Sequence, residues 1–121
     1  MLIEFKSRAA RSVPRVRRRS TGEKLAAALL VLGEGKGRIA SHSESSWASI
    51  TFAGTRHRVV LEFSGDEAME AGECFIVFLP EHEFAIPGQL VADAAITAVD
   101  HTAGEQPVLK VTCELLLLEE G

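Results

Sequence analysis

From Leu109 to Leu117 every second residue is apolar or a thiol: Leu109, Val111, Cys113, Leu115 and Leu117, with Lys110, Thr112 and Glu114 between them. A period of two is the spacing of a β-strand, so this segment must bury one face and leave the other to water. An antiparallel sheet is the kind that tolerates one solvated face. Leu116 and Leu118 break the pattern, because they put leucine on the face that the polar residues hold. Something has to cover them. The candidates are the apolar segment from Leu25 to Leu32 or a second copy of the chain across a twofold axis, and a homodimer is the expectation.

That sheet needs helices to cover its apolar face, and two segments supply them. Ser20-Thr21-Gly22-Glu23 reads as a capping box, in which the serine oxygen accepts the Glu23 N–H while the Glu23 carboxylate reaches back. The helix then runs through Leu25 to Leu32 and ends at Gly33, where a left-handed residue is expected. It is apolar nearly all round, which implies burial on more than one side. The second helix is predicted from Glu67 to Leu79 after a cap at Ser64-Gly65-Asp66, with Ala68, Ala71, Gly72, Phe75, Ile76, Phe78 and Leu79 inward and Pro80 stopping it.

Strands fill the intervals. Arg38 to His42 reads as one, followed by a polar turn at Ser43 to Ser46. A hairpin follows, with Ala48, Ile50 and Phe52 on one arm, a turn at Gly54-Thr55, and Val59, Leu61 and Phe63 on the other. Ile86-Pro87-Gly88 has the composition of a type II turn. It leads into a strand with Leu90, Ala92, Ala94, Ile96 and Ala98 on one face, whose small side chains favour close approach of a helix. The fold class is therefore α+β: an antiparallel sheet of four to six strands with two helices packed on it, for which a ferredoxin-like plait is one candidate arrangement.

At 121 residues there is room for one domain. It is read as residues 21–121 carrying a basic N-terminal arm at 1–20, after a short strand from Met1 to Phe5. Residues 1–24 carry a balance of +6 and the remainder −10. The acidic body repels a phosphate backbone, so nucleic acid is a partner only for the arm, through Arg15, Arg17, Arg18 and Arg19. An acidic protein suits the arm equally, and so does the body of the chain itself or of a neighbouring copy. No apolar run is long enough to span a membrane. A secretory signal is disfavoured by Glu23 and Lys24 beside the apolar run and by the lack of a small-x-small site, so a cytoplasmic location is expected.

Chemistry-bearing residues are few. Cys74 and Cys113 lack CxxC spacing and read as buried thiols. The topology places His57 and the Glu81-His82-Glu83 triplet at one end of the domain, where two imidazoles and two carboxylates make weak candidates for a metal site. His42 and His101 read as exposed. Trp47 has no inward partner by alternation and is, with Leu116 and Leu118, a candidate for partner contact. No nucleophile elbow or phosphate loop is present, and no catalytic residue or cofactor is expected. The reading is of a small non-catalytic binding or assembly module, with a metal-dependent protein at the His57/His82 end or a nucleic-acid accessory protein as alternatives.

Overall fold

The computed structural model describes residues 19–120, so the expected strand at Met1–Phe5 and all but the last two residues of the basic arm lie outside the described residues. The described elements run α1 (Thr21–Leu32), β1 (Arg38–Ala48), β2 (Ala53–Ser64), α2 (Asp66–Phe78), a 3-10 turn (Leu79–Glu81), β3 (Gln89–Thr102) and β4 (Val108–Glu119). All neighbouring strands are antiparallel in the order β1-β2-β4-β3. Helix-then-hairpin occurs twice, and the two halves meet where β2 pairs with β4. This element order is that of the ferredoxin-like plait shifted cyclically by one strand.

The capping box at α1 forms as the sequence implies: Glu23 donates its backbone N–H to Ser20 Oγ at 3.1 Å, and the Ser20 N–H reaches Glu23 Oε1 at 2.9 Å. Such a cap is worth about 1 kcal/mol. At the other end Gly33 keeps φ −84, and the chain reverses instead through Glu34 and Gly35, with φ of 62 and 70. The helix is one-sided, contrary to its all-round apolar composition. Leu25 and Leu29 enter the core while Val31 stands in solvent.

Both helices cover the same sheet face, where β2 contributes Val59, Leu61 and Phe63 and β4 all five alternating residues from Leu109 to Leu117. The ring of Phe63 is the meeting point. A β-carbon added to Gly33 or Gly37 beside α1, or to Gly72 in α2, would lie 3.1, 2.8 or 2.8 Å from that ring, and Phe75 tilts against it at 5.9 Å. Glycines let three separate backbone segments close on one aromatic side chain. At Gly72, α2 lies against Phe63 and Leu109 on the central strands rather than against the alanine-rich strand.

Several expectations are corrected. Residues 43–46 are not a turn but the middle of β1, which runs unbroken to Ala48. The hairpin reverses at 49–52 instead, where the Ser49 N–H donates to Phe52 O and the Phe52 N–H to Ser49 Oγ. β1 is an edge among the described strands, so its side chains stay polar and resemble a loop. In β3, bulges between Val91 and Asp93 and between Ile96 and Ala98 shift the alternation, so that Val91, Ala94 and Ile96 pack on the core and Leu90 does not. In α2, Gly65 caps without a side-chain bond, and Phe78 turns out to solvent while Leu79, on the following 3-10 turn, is buried. The turn at Ile86–Gln89 has the expected form, with Gln89 N–H on Ile86 O at 3.0 Å and Gly88 at φ 78.

Gly72→Val is expected to lower the unfolding free energy by about 1–3 kcal/mol, because the added methyls meet Phe63 and Leu109 in a packed layer. Urea unfolding reads this as a lower midpoint at unchanged slope. An unchanged midpoint would show that the Phe63 contact is not tight.

Candidate functional site

β1 and β2 bring three polar side chains together on the helix-covered face. Register pairs His42 with Val59 and Glu44 with His57, so His42 and His57 are diagonal neighbours and Glu44 lies directly across from His57. His42 Nε2 and His57 Nδ1 are 2.9 Å apart, a hydrogen bond whose donor depends on the tautomer. Glu44 Oε2 stands 3.9 Å from His57 Nδ1 and 4.0 Å from His42 Nε2, too far to bond to either. The first turn of α1 closes over the group at Gly22. A β-carbon there would collide with Glu44 Oε2 and lie 3.4 Å from His42 Cε1.

The environment is graded from dry to wet. His57 is 1% exposed, the His42 side chain 17% and the Glu44 side chain 51%. Burial holds the His57 imidazole below its ordinary value of 6.5; Glu44 opposes that shift and His42 adds to it. Its Nε2 is buried without a hydrogen-bond partner among the described residues. Two imidazole nitrogens and a carboxylate oxygen, all within 4.8 Å of one another, form a candidate ligand set for a divalent cation among the described residues.

The remaining sequence candidates are dispersed. Glu81, His82 and Glu83 are exposed, His82 sits edge-on to Phe84 with ring centroids 4.6 Å apart, and none joins the His57 cluster. His101 is exposed as expected, but His42 is not. Arg15, Arg17 and Arg18 lie outside the described residues. Arg19 is exposed and lines, with Lys24, Ala27, Ala28 and Val31 of α1 and with Ala85 to Pro87, a cleft of about 500 Å3. Cys74 is half-buried rather than buried, and Cys113 is fully enclosed with its thiol near Val59 O at 3.6 Å. Burial, with Glu114 nearby, pushes the Cys113 thiol up to about 12, which keeps it protonated and unreactive.

Trp47, Leu116 and Leu118 share the sheet face opposite the helices. The registers line up Trp47, Gly54, Leu118 and Leu90 as one row across all four strands, with Ser45, Arg56, Leu116 and Asp93 as the next. α1 packs into the core on the other face and so does not cover the leucines, yet both are only 8% exposed. Gly54 has no room for a side chain, since a β-carbon would run into Leu117 O and come within 3.0 Å of Leu118 Cδ2. Beyond this row the hairpin tip carries Ile50, fully exposed, and Phe52, half-exposed. The sequence reading assigned both to a strand and so missed them.

Neither a family model nor a curated protein matches the chain. Among solved structures, a chain of the virion of the native gene transfer agent particle is similar at 11% identity and a TM-score of 0.58, over 82% of this chain and 92% of that one. The type 4 fimbrial biogenesis protein PilO from Pseudomonas aeruginosa is matched at 11% identity and a TM-score of 0.39, over 76% of this chain and 64% of that one. The first likeness shows a shared fold. The second is too low to carry an argument.

The state of His57 has a thermodynamic consequence. Its native affinity for protons lies below that of the unfolded chain, so the unfolded state binds the proton first as the pH drops. The stability His57 contributes is complete above about pH 6.5 and declines below it, towards its lower native value. Melting temperatures recorded from about pH 8 to about pH 5.5 should therefore fall at the acid end, and His57→Leu should flatten that part of the curve. Equal slopes for the two proteins would remove His57 as the source.

Proposed function

We propose that this chain is a non-catalytic assembly module that joins further copies of itself through the apolar tip of the β1–β2 hairpin. The observation that carries this reading is Ile50, fully exposed beside half-exposed Phe52 on a turn held by two hydrogen bonds. A long apolar side chain presented on an ordered turn loses little conformational freedom on docking, and burying it is worth about 1.5–3 kcal/mol. Trp47 lies within three residues of Ile50, on the sheet face that neither described helix covers, and Leu90 shares its row. The apolar tip and this row therefore offer one end of the domain to a partner.

Charge favours like copies. The first 24 residues carry +6 against −10 on the rest, so one copy's arm complements another copy's body. The fold is also that of a chain in a gene transfer agent virion, a particle built from many chains, which fits an assembly role without specifying one. Leu116 and Leu118 are already enclosed within the single chain, so the contact surface is better placed at the hairpin tip than over them.

Sedimentation across roughly 1–100 µM should show the weight-average mass rising above that of one chain. Ile50→Asp is expected to weaken association about tenfold or more, since about 1.4 kcal/mol corresponds to a factor of ten. Ile50→Asp/Phe52→Asp should remain monomeric while melting like the parent, because both side chains lie outside the core. A single-chain mass for the parent throughout this range would overturn self-assembly.

A further inference from the structure

We propose that His42, Glu44 and His57 form a binding site for a divalent transition-metal ion of the zinc type. Donor atoms separated by 2.9, 3.9 and 4.0 Å define a circle whose centre lies about 2.1 Å from each of them, which is the Zn–N and Zn–O bond length. An ion at or just off that centre is bonded to all three at once.

Alternative accounts of the arrangement explain less of it. A pair of hydrogen-bonded histidines accounts for the 2.9 Å contact but not for a carboxylate that approaches both rings and bonds to neither. A hydrogen-bonded salt bridge would bring the carboxylate within bonding distance of one ring, but at 3.9 and 4.0 Å it bonds to neither. The positive end of α1 accounts for a carboxylate nearby, but not for the convergence of two ring nitrogens on the same point.

The local backbone supports the same assignment. His42 and Glu44 are two residues apart on one strand face, and the β1–β2 register fixes His57 beside them, so all three ligands come from one hairpin. Gly22 leaves space that any side chain would fill at the expense of the Glu44 carboxylate. Glu44, half-exposed, forms the solvent side through which an ion enters. Three protein ligands leave a fourth position for water or a small anion. His57 Nε2 has no acceptor among the described residues, and a metal-binding imidazole whose other nitrogen lacks an acceptor holds the ion about 10- to 100-fold more weakly than one that has it.

The test uses the full chain without a histidine tag, titrated with Zn2+ by calorimetry and with Co2+ by visible absorption. One equivalent is expected to bind, with the d–d bands of a low-coordinate Co2+ site. His42→Ala and Glu44→Ala, which lie on an edge strand outside the core, should each weaken binding tenfold or more while the metal-free melting curve stays near that of the parent. Gly22→Ala should weaken it as well, whereas His82→Ala should leave it unchanged. No binding of either ion, or binding that survives His42→Ala and Glu44→Ala, would overturn the site. Ile50→Asp/Phe52→Asp, the assembly-deficient variant, should bind Zn2+ as the parent does, so failure of self-assembly and failure of the metal site give separate results.

Discussion

One phenyl ring holds the layers of this domain in position. Phe63, near the end of β2, receives α1 through Gly33 and Gly37 and α2 through Gly72, and it is braced by Phe75. Interiors are packed as densely as organic crystals, so backbone at van der Waals distance from a ring leaves little freedom for either helix to slide. The orientation of α1 then follows. With its C-terminal end fixed at Phe63, its first turn is carried along the sheet to His42 and Glu44, where Gly22 meets them. The packing at one end of β2 therefore determines what lies over the polar cluster at the other.

The part of the fold legible in the sequence is the part whose signals are local or strictly periodic. Ser20 and Glu23 cap α1 through groups three residues apart, and the inner residues of β2 and β4 alternate because a central strand in a one-sided sheet has to. The misreadings have physical causes. β1 lies at an edge of the described sheet and buries little on either face, so Ser43 to Ser46 resemble a loop although they are paired residue by residue with β2. In β3 the bulges shift the faces without marking the composition, which is why Val91 rather than Leu90 reaches the core.

The same error concealed the polar cluster. With residues 43–46 read as a turn, Glu44 has no face, and His57 is compared with Glu81, His82 and Glu83 simply because they share an end of the domain. Once β1 continues to Ala48, His42-Ser43-Glu44 becomes a ligand pair at the strand period, and His57 is its cross-strand neighbour. The exposed tip was missed for a related reason: Ile50 and Phe52 alternate with Ser49 and Thr51 as strand residues do, yet they flank a reversal closed by the Ser49 hydroxyl.

The bulges in β1 and β3 bear on how such a domain grows into something larger. Both described sheet edges carry an irregularity, one between Ile39 and Ser41 and two along β3. An incoming strand needs an uninterrupted ladder of N–H and C=O groups to template on, and each bulge breaks that ladder and twists it away. Main-chain polymerisation into a continuous cross-β ribbon is thereby discouraged at the described edges. Under the proposed self-association, contacts between copies would be made by side chains instead, at a place and in a number that the sequence can control.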